Sequence, residues 1–218
     1  KRAEAEILEN EASKSYLPIA GSPEYAAVVQ DLVLGPGHPV TLARRAVTIH
    51  APGGTGALRV GADIVKRANP SARVWISQPT WPNHPGVMKA AGLDVQTYPY
   101  FDARRNGLDF ERMAETLNHI PAGDLVVLHG SCHNPTGCDP TPDQWREIAE
   151  IVARRGIVPL VDFAYQGFAE GLREDTAGVQ ALTERVEEML IASSFSKNFA
   201  LYNERVGALT LVARNAAA

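Results

Sequence analysis

With 218 residues, 25 acidic against 21 Lys plus Arg side chains and a formal net charge of -4 at pH 7, the chain has the length of one good-sized domain. Hydrophobic residues at 45% and charged residues at 21% suit a packed core and exclude disorder or a fibrous repeat. The acidic balance, with no dense Lys/Arg stripe, argues against nucleic acid or an anionic membrane as the main partner and leaves small molecules.

The chain opens on KRAEAEILENE, residues 1–11, a charged helical pattern without a signal-peptide core. No run reaches the roughly eighteen apolar residues of a membrane helix, so a cytoplasmic protein is expected. Two cysteines, Cys132 and Cys138, cannot build the disulfide framework of a small secreted domain and point the same way. Residue 1 is a Lys inside a helical pattern, and the chain stops soon after the apolar run 206–212; both ends read as those of an internal portion of a longer protein.

Ser22-Pro23 predicts a helix to residue 34, a cap followed by Pro at the first helical position. Short β-rich runs follow at 46–50, 74–77, 95–98, 125–129, 157–161 and 190–193, several with the unbroken Val/Ile/Leu character of strands buried on both faces. Helical patterns lie between them, including 58–68 and a stretch opened by the capping box Thr141-Pro142-Asp143-Gln144. The alternation predicts an α/β domain, a mostly parallel sheet with helices on both faces. Ligands of such sheets sit beyond the carboxyl ends of the strands, which directs attention to the residues just after each run.

After 46–50 comes Pro52-Gly53-Gly54-Thr55-Gly56, either a phosphate cup at a helix start or a simple capping turn. It carries no Gly-Lys-Ser/Thr and lacks the third glycine of a dinucleotide fingerprint. Trp81 and His84 follow 74–77; Trp81 can stack on a flat ring or pack in the core, and His84 alone reads as a structural histidine. The turn Gly130-Ser131-Cys132-His133-Asn134-Pro135-Thr136-Gly137 presents the Asn134 amide. His129, Cys132, His133 and Cys138 are clustered, but their spacing matches no common zinc pattern, and no metal is expected. Asp162 ends an apolar run with Tyr165 three residues on; its carboxylate needs a cationic partner or serves as a helix cap. Ser194-Phe195-Ser196-Lys197-Asn198-Phe199 offers either a Schiff-base amine or a solvated Lys, and Arg205 lies shortly beyond. Together an anion cup, an aromatic plate, an amide and a phenol for a ring oxygen, an acid wanting a cation and an amine describe pyridoxal 5'-phosphate.

These residues, with Lys14-Ser15-Tyr16-Leu17, Trp81-Pro82-Asn83-His84, Asp162-Phe163-Ala164-Tyr165-Gln166-Gly167-Phe168 and Tyr202-Asn203-Glu204-Arg205-Val206-Gly207 in order along the chain, resemble the class I aminotransferases, in their aspartate and aromatic amino acid branch. The resemblance implies a fold-type I large domain. Residues 1–218 would form its central part, with 1–14 a linking helix and the N-terminal arm and C-terminal small domain outside the chain. It implies that Lys197 carries the cofactor and moves the substrate proton, that Asp162 pairs with the pyridinium nitrogen, and that Tyr165 and Asn134 meet the ring hydroxyl oxygen. Trp81 would stack on the ring and His84 would orient Asp162. Gly54, Thr55, Ser194, Ser196 and Arg205 would hold the phosphate, joined by Tyr16 from a neighbouring subunit of a homodimer. Tyr16, Trp81 and Asn134 would also meet substrate; the two arginines that grip substrate carboxylates in the family fall beyond Ala218. The implied reaction is ping-pong transfer of an amino group from an aromatic amino acid, aspartate and glutamate also accepted, to 2-oxoglutarate. A strict aspartate aminotransferase or another reaction at the α-carbon is the alternative.

Overall fold

The structure is a computed structural model and describes residues 1–217. Helix α1 (Arg2–Asn10) buries none of its residues, and residues 11–20 run exposed and without regular structure. Helix α2 (Pro23–Val33) starts as expected: Ser22 Oγ accepts the Tyr25 N–H at 3.2 Å and Pro23 takes the first position. One short turn of helix, α3 (Pro39–Leu42), leads into β1 (Ala46–Pro52). Then follow α4 (Gly53–Ala68), β2 (Arg73–Gln78), α5 (His84–Ala90) and β3 (Asp94–Pro99). A two-stranded ribbon, β4 (Phe101–Asp102) and β5 (Gly107–Leu108), precedes α6 (Phe110–Leu117) and β6 (Leu125–His129). The remainder is α7 (Pro142–Arg155), β7 (Val158–Phe163), α8 (Ala177–Thr183), β8 (Met189–Ser194) and β9 (Val206–Val212).

Seven strands form one sheet in the order β1-β9-β8-β7-β6-β2-β3. The pairs from β3 to β8 are all parallel. β9 lies antiparallel to both β8 and β1, so among the described residues it alone opposes the common direction. Successive residues of each strand point to opposite faces: Val161 and Ile191 join the core under α7 and α8, while Leu160 and Leu190 join the one under α4. Every residue of β6 and β8 is buried, which is why those strands read as unbroken apolar runs. Among the described residues no helix is long and apolar enough to cross a membrane.

Two expected boundaries move. Helix α4 begins at Gly53, not residue 58, so the glycine-rich stretch is the first helical turn. Glycine disfavours helix by about 1 kcal/mol relative to Ala, but the spot has no room for side chains. A Cβ on Gly54 would stand 2.9 Å from Ser194 Cβ, and Gly53, at φ +72, makes the sharp turn out of β1. Asp162 is also no helix cap: it lies within β7, in register with His129 and Ala192. The capping box at Thr141 forms with both of its hydrogen bonds, and Gly156 closes α7 in the left-handed conformation.

Candidate functional site

Because β1, β2, β6, β7 and β8 point one way, the segments that follow them gather at one edge of the sheet, where β9 begins. They enclose a cavity of about 220 Å³. Ten of the residues singled out from the sequence line it: Gly54, Thr55, Trp81, Asn134, Asp162, Tyr165, Ser194, Ser196, Lys197 and Arg205.

At one end the first turn of α4 meets the β8–β9 connection. The N-cap is Pro52, with no side-chain cap, so the first amides of a sixteen-residue helix and the positive end of its dipole face the cavity. Arg205 Nη1 donates to Ser196 Oγ at 3.3 Å and to the Tyr202 carbonyl at 3.2 Å. Its guanidinium fills the space a side chain on residue 53 would need; a Cβ there would stand 2.6 Å from Nη2. Cys132, Ala200 and Arg205 hold φ of +48, +55 and +54, left-handed backbone that costs non-glycine residues about 1–2 kcal/mol each and collects where a site over-determines the chain. Uncapped amides, the hydroxyls of Thr55, Ser194 and Ser196 and a guanidinium make this end suitable for a dianion such as a phosphate ester.

At the other end Asp162, 7% exposed, takes a 2.9 Å hydrogen bond on Oδ2 from Nε2 of fully buried His84. The directions of the bonds behind it follow from their donors. The Asn134 backbone N–H donates to His129 Nδ1 at 3.4 Å, so His129 carries its proton on Nε2 and gives it to Thr80 Oγ1 at 3.2 Å. The Thr80 hydroxyl then donates to His84 Nδ1 at 2.7 Å, leaving His84 Nε2–H for Asp162. One polarised chain therefore runs from the Asn134 amide to the Asp162 carboxylate. Burial pushes the His129 imidazolium down to about 4 against the pull of Asp162, in keeping with an accepting Nδ1. Burial would raise the Asp162 carboxyl, but the hydrogen bond from His84 and the nearby Lys197 charge hold it below the ordinary carboxylate value. Asp162 is thus a buried anion with a free side facing the cavity.

Trp81 lines the cavity while also packing on the core under α4 and meeting the His84 ring edge-on, centroids 5.3 Å apart at 87°. Lys197 Nζ stands 4.7 Å from the centroid of the Tyr165 ring. Ser131 Oγ, buried and without a partner among the described residues, also belongs to the cavity wall. Tyr16 is fully exposed on the 11–20 segment and does not line the cavity. The sequence reading missed Thr80, and it weighed His129 only as a metal ligand; as the last residue of β6, His129 satisfied the same strand-end criterion as the rest.

A model of the family described as aminotransferase class I and II matches residues 1–218. Aspartate aminotransferase of Salmonella typhi is 53% identical over 216 residues, 99% of this chain and 54% of that protein. Aromatic-amino-acid aminotransferase of Paracoccus denitrificans is 48% identical over 215 residues, again 99% and 54%. Among solved structures, the aromatic-amino-acid aminotransferase of Burkholderia pseudomallei covalently bound to pyridoxal phosphate superposes with a TM-score of 0.96 at 45% identity, covering 99% of this chain and 54% of that one. The chain spans about half the length of the curated relatives it matches.

Proposed function

Because the chain belongs to the class I and II aminotransferase family, we propose that the protein transfers an amino group, with pyridoxal 5'-phosphate, between an aromatic amino acid (aspartate and glutamate also accepted) and 2-oxoglutarate. The observation that carries this reading is the buried Asp162 carboxylate, braced by His84 and sharing a cavity with Lys197, whose opposite end is an uncapped helix start beside Arg205. The donor set fits the cofactor. Gly54, Thr55, Ser194, Ser196 and Arg205 would hold its phosphate, Trp81 would cover one face of its ring, and Asn134 and Tyr165 would donate to the ring oxygen. When bound, the ring supplies an electron sink for negative charge at the substrate α-carbon.

The remaining chemistry belongs to the chain. Asp162 keeps a proton on the ring nitrogen by presenting a desolvated negative charge to it. Lys197 would anchor the cofactor, and its amine would serve as the base that takes the proton from the substrate α-carbon and gives it to the cofactor carbon on the far side of the shared nitrogen. The Tyr165 ring face, 4.7 Å from Nζ, holds the amine beside the cavity. Residues 1–218 act as the central part of the large domain, in a cytoplasmic homodimer in which Tyr16 reaches the neighbouring subunit's site; the linking helix is Arg2–Asn10 and not 1–14, since 11–14 carry no regular structure. The exposed Tyr16, Leu17 and Ile19 support that placement. A strict aspartate aminotransferase is the second reading, favoured by aspartate aminotransferases at 50 to 53% identity.

The test is a visible spectrum of the purified protein loaded with cofactor, before and after tyrosine or aspartate is added without a keto acid. Bleaching of the band identifies the amino donor, and the amino acid that works separates the two readings. Lys197→Ala is expected to abolish both the band and turnover; turnover surviving in that variant would overturn the assignment.

A further inference from the structure

His133 plays no part in the reaction above, yet it is 1% exposed and bonded at both ring nitrogens. The Cys138 N–H donates to Thr136 Oγ1 at 3.2 Å, and we assign the threonine's own proton to His133 Nδ1, 2.8 Å away. His133 Nε2–H is then left for Ser77 Oγ on β2, at 2.9 Å. The ring lies flat against Tyr100, centroids 3.8 Å apart and planes 13° apart, and the Tyr100 hydroxyl donates to the Cys138 carbonyl at 2.7 Å. Around this ring the turn closes on itself. The Cys132 and His133 amides both donate to the Asp139 carboxylate, at 2.6 and 2.9 Å, and the Gly137 amide donates to the His133 carbonyl at 2.6 Å. The imidazole and the Tyr100 phenol fasten this closed unit to β2 and to the chain after β3. The next residue, Asn134, lines the cavity.

We propose that His133 is a positioning residue for the Asn134 amide: through its Nδ1 bond to Thr136 it sets where the turn presents that amide to the cofactor's ring oxygen. The proposal rests on the cofactor reading of the cavity. Burial pushes the His133 imidazolium down to about 3, so the ring stays uncharged at working pH and its bond directions do not switch.

The experiment compares His133→Asn, whose amide oxygen can stand where Nδ1 stands and accept from Thr136, with His133→Gln, whose amide can reach Ser77 but not Thr136. Three quantities are read: the pH midpoint of the cofactor's visible band, the affinity of the cofactor-free protein for pyridoxal phosphate, and thermal unfolding without cofactor. H133Q is expected to move the midpoint upward by about one pH unit, because a ring oxygen that loses an amide donor holds its neighbouring proton more tightly; H133N is expected to keep the wild-type midpoint. Thr136→Val, which leaves the ring in place, is expected to reproduce the H133Q shift and serves if H133Q does not fold. Equal shifts in H133N and H133Q, or a wild-type midpoint in folded H133Q or T136V, overturn the proposal. A wild-type protein that takes up no pyridoxal phosphate at any pH would sink the functional reading instead, and the proposal with it.

Discussion

Replacing His84 by Leu tests the electrostatics of the cavity without reference to turnover. His84 is fully buried and donates to Asp162 at 2.9 Å, and Asp162 is itself only 7% exposed. A hydrogen bond to a charged acceptor contributes about 1.5–3 kcal/mol, and the Thr80 hydroxyl left without its acceptor adds about 1 kcal/mol. The expected loss of stability near pH 7 is therefore roughly 3 kcal/mol. Its pH dependence is the sharper test. In the wild type, burial raises the Asp162 carboxyl, but the His84 bond and the Lys197 charge outweigh it and the net direction is down. A group lowered in the folded state stabilises above its unfolded value and loses that stabilisation as the pH falls through the folded one. In H84L burial dominates, the carboxylate costs stability at neutral pH, and acid relieves the cost by protonating it. Urea unfolding of the cofactor-free proteins should show the wild type and H84L converging as the pH is lowered from about 7 toward about 4. A gap that stays constant across that range would refute the reasoning and leave His84 a packing residue only.

Gly54→Ala places a methyl 2.9 Å from Ser194 Cβ and is expected to weaken pyridoxal phosphate binding at least about tenfold, read by absorbance titration; unchanged affinity would remove the first turn of α4 from the anion end. Thr141→Ala abolishes the capping box of α7 and should cost about 1 kcal/mol in urea unfolding while cofactor uptake stays as in the wild type. Ala200 sits at φ +55, so Ala200→Gly should relieve about 1 kcal/mol of strain and raise the melting temperature by about 2–4 °C; a lower value would mean that flexibility lost on folding outweighs the strain.

The parallel strands were legible because full burial writes itself into composition: β6 and β8 bury every residue, and only apolar runs tolerate that. The direction of β9 was not, since an apolar run reads alike both ways and its orientation comes from pairing with β1 and β8. The β4–β5 ribbon, two residues a strand, is too short to show a period. The start of α4 was misplaced because local propensity counts glycines against a helix, whereas the approach of Ser194 and Arg205 demands them. In the cavity, residues with distinctive chemistry at strand ends were readable one by one. The bond between Thr80 and His129 was not, because a hydroxyl and an imidazole forty-nine positions apart become partners only where β2 and β6 lie side by side.

The insertion of β9 between β1 and β8 has a consequence in time. Ala46 pairs with Val212, so a ribosome adding about 5–20 residues per second delivers the partner of β1 on the order of ten seconds after β1 itself. Until then β1 lacks the neighbour it takes in the finished sheet, with Val47 and Ile49 along it, and unpaired apolar strand edges invite association with other chains. Arg205, one residue before β9, arrives in the same stretch. β9 therefore both joins β1 to the sheet and brings Arg205 to the anion end of the cavity, so a nascent chain stalled just short of it would expose an unpaired apolar edge and lack that guanidinium at once.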